Sequence, residues 1–176
     1  MPLNILIIGA GCCGPAFATL LLRADPSHRI TVIERAAALR TAGQQIDLRA
    51  QGIPVMRKLG LLEKAKAVCV PEAGVAFVDA EGRQRAIFAA NKSGHGQQAI
   101  TSEYEIMRGD LVRVLYEASL EAGEAAGRAT GGAGGVEYRF DTTITALAQN
   151  DDGNNVEVTF ASGEKARYDQ IGRAHV

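Results

Sequence analysis

The 176-residue sequence has no tryptophan, and aromatic residues make up only 5% of it. That leaves little material for the stacking platforms that hold single-stranded nucleic acid. Neither sign of charge is in excess. Lys and Arg number 19 against 20 Asp and Glu, for a formal net charge of −1. A strongly basic nucleic-acid binder and a polybasic membrane-surface segment are therefore excluded. There is no long hydrophobic run. The apolar start, MPLNILIIGAG, is too short to span a bilayer and meets glycines rather than a signal cleavage site. Three cysteines (Cys12, Cys13 and Cys69) are too few for a disulfide framework and point to a reducing compartment. The three histidines, His28, His95 and His175, stand apart in sequence and offer no metal-ligand spacing. These features predict a protein of the cytoplasm with no metal and no membrane span.

What is plentiful is apolar residues, at 47%, and glycine, at 20 positions. The apolar share can build a core, and the length suits one domain of ordinary size. The glycines cluster where they are informative. Asn4–Ile8 (NILII) reads as a parallel strand buried on both faces. Gly9, Gly11 and Gly14 follow at G-x-G-x-x-G spacing, and Pro15–Arg23 (PAFATLLLR) reads as a buried helix. Pro15 fits the first helical turn, where no N–H is needed, and Pro26 ends the helix. Arg29–Ile33 (RITVI) is a second buried strand, closed by Glu34.

Strand, glycine loop, helix, strand and acid together make the dinucleotide-binding unit. Gly9 allows the tight turn, Gly11 lets a pyrophosphate approach the backbone, and Gly14 lets the helix pack on the sheet. The unpaired N–H groups of the helix start carry partial positive charge for the phosphates. Glu34 is placed to accept hydrogen bonds from ribose hydroxyls and to repel a 2′-phosphate. Cys12 and Cys13 read as small residues of a crowded turn, and Cys13 is counted with the cofactor-binding loop.

Several stretches resemble the flavin-dependent monooxygenases of the para-hydroxybenzoate hydroxylase class, in particular the tetracycline-inactivating monooxygenases and related fungal hydroxylases. They are Ile8–Ala18 (IGAGCCGPAFA), Val32–Arg35 (VIER), Gly43–Leu48 (GQQIDL) with the following IPVMRKLGLL, and Ile106–Leu115 (IMRGDLVRVL). The resemblance runs through nearly all of residues 3–169. It implies an α/β fold: a three-layer Rossmann-type FAD-binding domain, with a parallel sheet, a β-meander and the start of a β-rich substrate layer. It implies FAD as cofactor, NAD(P)H as transient reductant, and O2 with an aromatic or polyketide-like small molecule as substrates. Gly9, Gly11 and Gly14 would hold the pyrophosphate. Glu34 would hold the adenosine ribose, with Arg35 beside it. Asp47 matches an acid near the flavin end. Arg108 matches an arginine that reaches FAD from its helix start, where a planar guanidinium suits a phosphate. No residue is assigned a catalytic role.

On this reading the FAD-binding domain comprises residues 1–72 and 104–169, and residues 73–103 begin the inserted substrate layer. Gly74–Asp79 and Arg85–Ala90 form a hairpin there, and Asn91–Gln98 is a loop holding His95. Ile53–Val68 forms short amphipathic helices broken at Gly60, and Arg108–Glu121 forms a long one. Ala122–Gly135 reads as a flexible Gly/Ala-rich surface insertion. Val136–Phe140 with Thr143–Ala148, Val156–Phe160 and Ala166–Asp169 read as a meander, with turns at Asp151–Asn155 and Ser162–Glu164.

Ile171–Val176 (IGRAHV) resembles the translation of a common sequencing adaptor. Residues 170–176 are thus expected to be a non-native tail that cuts a central strand short, leaving a fragment that folds poorly and is inactive alone. Three other readings remain open: another FAD-dependent oxidoreductase, an NAD-binding dehydrogenase, and a non-catalytic nucleotide-binding remnant. The dehydrogenase fits less well, because the chain beyond residue 36 is not a simple βαβαβ repeat.

Overall fold

The computed structural model describes residues 1–89, 104–150 and 153–173. His95 and its loop, Asp151, Asp152 and His175 lie outside the described residues. The chain forms two compact units, one of residues 1–41 with 112–176, the other of residues 42–111.

The first unit is built on a parallel sheet. Its strands β1 (Asn4–Ile8) and β2 (Arg29–Ile33) flank helix α1 (Cys13–Ala24), as the sequence predicts. The sheet order is β11-β1-β2-β7, all parallel, with β7 at Gly135–Arg139 and β11 at Gln170–Arg173. Alternation along β1 assigns the layers. Ile5 and Ile7 pack with Ala18 and Leu22 of α1 and with Ala126 of the helix α4 (Arg108–Thr130). Leu6 faces the other way and packs with Ile33, Val158, Phe160 and Tyr168. That second face is covered by an antiparallel meander of β8 (Ile144–Gln149), β9 (Val156–Phe160) and β10 (Lys165–Tyr168).

Three expectations change. The Ala122–Gly135 stretch is not a flexible insertion: helix α4 continues to Thr130. Alanine is the best helix former, and the interior glycine Gly123 has a packing role. A Cβ at Gly123 would lie 2.6 Å from Cγ1 of Val136 and 3.1 Å from its backbone nitrogen. The helix thus runs close against β7. Gly→Ala inside a helix ordinarily stabilises by about 1 kcal/mol. At Gly123 the sign should reverse, because overpacking against a β-branched neighbour costs ~1–3 kcal/mol. Urea unfolding of Gly123→Ala measures this directly.

The second change concerns Val136–Phe140. This strand joins the main sheet beside β2, with Val136 opposite Ile30, rather than starting the meander. The turn that follows it, with Asp141 at φ 50°, separates the two sheets. The third is the edge of β1. Residues 170–173 pair with it in parallel register, Ile5 opposite Gln170 through Ile8 opposite Arg173, so its backbone groups are not left open.

Beneath the helix layer Tyr138 is half-buried, and its hydroxyl lies 2.6 Å from that of the fully buried Ser119. Ser119 in turn donates to the Tyr116 carbonyl. Burial pushes the Tyr138 phenol up to about 12 from its ordinary 10. The neutral form is the one the fold favours. Its stabilisation is fully present below pH 10 and is lost as pH rises from 10 toward 12. An absorbance titration of tyrosinate should show one late-ionising tyrosine, missing in Tyr138→Phe.

In the second unit, strands β3 (Gln45–Asp47) and β6 (Glu105–Met107) pair antiparallel, with helices α2 (Gly52–Lys58) and α3 (Leu62–Lys66) between them in sequence. The predicted break at Gly60 falls between the two helices. Met56, Leu59, Ala65 and Ile106 are buried. The predicted hairpin is present as β4 (Gly74–Val78) and β5 (Gln84–Ala89), with Phe77 and Phe88 edge to face. This unit starts earlier and ends later than the 73–103 segment set apart by sequence, because β3 and β6 close it.

Candidate functional site

The glycine loop leaves β1 at Gly9, whose φ of +103° is open to glycine and strained for other residues. Its N–H donates to the Ile33 carbonyl at 2.7 Å, which ties the loop to the end of β2. The third glycine is set by distance. A Cβ on Gly14 would lie 2.0 Å from the Gly9 carbonyl oxygen. Helix α1 can begin beside the strand end only because that atom is missing. Its first turn carries no acidic residue, so no side chain of that turn offsets the partial positive charge there. Gly11 is half-buried, and Cys13, the first helical residue, is exposed.

Glu34 closes the other side of the site. One carboxylate oxygen accepts the Ala10 N–H at 3.0 Å, and the other accepts the Ala36 N–H at 3.0 Å. Each oxygen keeps a second lone pair, so the pair can still accept from two neighbouring hydroxyls. The position of Glu34 is itself braced. Its N–H donates to the Arg139 carbonyl, and Thr142 donates to the Glu34 carbonyl, both at 2.9 Å. Asp141 donates to the Ala36 carbonyl at 2.9 Å. Sequence spacing foresees Glu34 but not this clasp on Ala10 and Ala36, nor the brace from the end of β7. The only advance signal was the motif itself, since backbone donors leave no trace in residue type.

Gly9, Gly11, Cys13, Gly14 and Glu34 thus converge at the carboxyl ends of β1 and β2, and Arg35 follows, exposed to solvent. Asp47 and Arg108 belong to the other unit. There they occupy opposite ends of the β3–β6 ladder. Asp47 lies across from Glu105, and Arg108 follows Met107, the residue opposite Gln45. Asp47 takes a hydrogen bond from Arg49. The Arg108 stem lies over Gly43, where a Cβ would meet it at 3.1 Å. Glu105, 9% exposed, accepts from the Gln45 amide at 3.2 Å.

This geometry defines a dinucleotide-binding α/β protein: a glycine-cradled helix start and an acid, both outside the carboxyl ends of parallel strands. The chain belongs to the FAD binding domain family, which matches residues 3–169. It is 43% identical over 171 residues to the FAD-dependent monooxygenase asL6 of Sarocladium schorii, covering 97% of this chain and 40% of that protein. It is 41% identical over 169 residues to the flavin-dependent monooxygenase eupH of Phoma sp, covering 95% of this chain and 36% of that protein. Among solved structures it resembles the tetracycline destructase Tet(51), with a TM-score of 0.69 and 30% identity over 99% of this chain and 39% of that one. The chain therefore spans about two fifths of the length of these relatives.

The residues present fit FAD. Gly14 carries no side chain to push the helix start away from the Gly9 carbonyl, so the loop backbone stays close to the helix N-terminus, and Glu34 retains acceptor capacity beside it. No helix among the described residues is long and apolar enough to cross a membrane.

Proposed function

We propose that this chain carries the ADP-binding half of the site of an FAD-dependent monooxygenase. The observation that carries the reading is the Glu34 carboxylate, held on the Ala10 N–H beside a helix start that only glycine at position 14 permits. Gly9, Gly11, Cys13 and Gly14 hold the pyrophosphate through the loop and the helix N-terminus. Glu34 binds the adenosine ribose and Arg35 flanks it. Asp47 and Arg108 serve the flavin end of the same cofactor. When bound, FAD would accept electrons from NAD(P)H and activate O2 for hydroxylation of an aromatic or polyketide-like small molecule. The chain's own part is to bind and orient the cofactor. Residues 1–72 with 104–169 form the FAD-binding domain and residues 73–103 begin the substrate layer. The small number of cysteines supports a cytoplasmic setting.

The test is to extend the reading frame from source transcript beyond Asp169 and purify the product. A yellow protein bleached by NAD(P)H without oxygen, and recoloured by O2, supports the proposal. Bound FAD reduced only by an organic substrate would make it a different FAD-dependent oxidoreductase. Bound FAD with no reduction at all would leave a nucleotide-binding remnant.

A further inference from the structure

A second recess lies in the first unit, on the face of the sheet opposite the helices. It has a volume of about 470 Å³ and lies among Asn4, Arg29, Thr31, Glu137, Arg139 and Tyr168. The strands explain why these residues meet. Arg29 and Thr31 alternate with Ile30 and Val32, which pack with the helices, so both turn toward the meander face. Thr31 stands opposite Glu137 in register, and Arg139 follows two residues on. Tyr168 enters from β10.

Two hydroxyls in this recess are orphaned. Thr31 is 8% exposed and Tyr168 is 4% exposed. Neither hydroxyl has a hydrogen-bond partner among the described residues. Buried side-chain polar atoms nearly always have one, so each exception needs an explanation. The Arg139 guanidinium is held charged first by its hydrogen bond to Glu137, against the effect of burial, with Glu164 and then the Tyr168 oxygen adding to the effect.

The free capacity in the recess is mainly donor capacity. Arg29 spends its Nε on the Ala133 carbonyl at 2.8 Å, which leaves its terminal nitrogens. The Thr31 and Tyr168 hydroxyls each have a proton to give. The Glu137 carboxylate is already matched by Arg139 at 2.9 Å. Among the described residues that line the recess, Arg29 is thus the cation left to neutralise a guest. A singly charged acceptor fits this set, because Arg29 supplies one positive charge.

We propose that this recess is a binding site for a small carboxylate, separate from the glycine loop, with Thr31 and Tyr168 donating to the carboxylate and Arg29 supplying its countercharge. The site is built into the sheet by three residues that no dinucleotide contact requires.

The test is an acetate titration of the FAD-saturated chain, followed by amide chemical shifts, with chloride at matched ionic strength as the blank. The expected result is saturable shifts at Thr31, Glu137, Arg139 and Tyr168. Thr31→Val and Tyr168→Phe remove one hydroxyl each at nearly constant shape. Each should weaken acetate binding about tenfold, equivalent to ~1.4 kcal/mol, while FAD affinity stays unchanged. Arg29→Gln should weaken it further. Absence of saturable shifts at these residues overturns the proposal. So do shifts that persist unaltered in Thr31→Val and Tyr168→Phe, or shifts confined to residues 10–16. If a variant fails to fold, the wild-type titration alone decides through the location of its shifts.

Discussion

Gly14→Ala should lower FAD affinity by more than 100-fold and lower the melting temperature of the cofactor-free chain. The added carbon would sit 2.0 Å from the Gly9 carbonyl oxygen, which is backbone and cannot rotate away. Either α1 moves off the strand or the Gly9 peptide turns, and both displace the N–H groups proposed to hold the pyrophosphate. Overpacking of this kind costs ~1–3 kcal/mol in stability. Gly9→Ala is the informative companion. A Cβ there meets nothing within 4 Å, but the φ of +103° remains strained. It should destabilise by ~1–3 kcal/mol through backbone strain alone. Gly9→Ala should therefore keep more FAD affinity than Gly14→Ala. Flavin fluorescence titration and thermal unfolding separate the two cases.

Glu34→Ala should be nearly as severe for binding. The carboxylate would contribute two hydrogen bonds to the ribose, and charged acceptors give ~1.5–3 kcal/mol each. Losing both predicts a fall in FAD affinity of about 100-fold or more. The substitution also releases the N–H groups of Ala10 and Ala36. The cofactor-free protein should then lose stability too, by ~1–2 kcal/mol, since Ala10 is buried while the half-buried Ala36 can turn to water. Glu34→Gln keeps one oxygen acceptor but turns an amide donor toward one of the two N–H groups. It should fall between wild type and alanine for stability, yet near alanine for affinity. If Glu34 served the ribose alone, the cofactor-free stability would not move.

The unit from β1 to Glu34 was legible because its signals are local. Its strands are short β-branched runs, its turn is spelled in glycine, and its acid follows at fixed spacing. Helix α4 was half legible. Leu111, Val114, Leu115 and Ala118 mark its first half. Beyond Ala122 the sequence is nearly all Gly and Ala, which suits either a linker or a close-packed helix, and only contact with Val136 decides between them. The placement of β7 depends on pairing with β2, more than a hundred residues earlier by number, and a strand carries no label for its partner. Strands β3 and β6 are three residues each, below what periodicity can reveal. Thr31 was hidden in another way. Inside RITVI it reads as one more β-branched strand residue, and its hydroxyl gains meaning only beside Tyr168 and Arg29.

Residues 9–36 are proposed to grip the ADP half of FAD. A competition titration tests this most directly. FAD bound to the chain is followed by flavin fluorescence while ADP or FMN is added. The expected result is saturable FAD binding that ADP displaces and FMN displaces poorly, with Glu34→Ala weakening the ADP competition. Displacement by FMN but not by ADP, or no FAD binding at all, would contradict it.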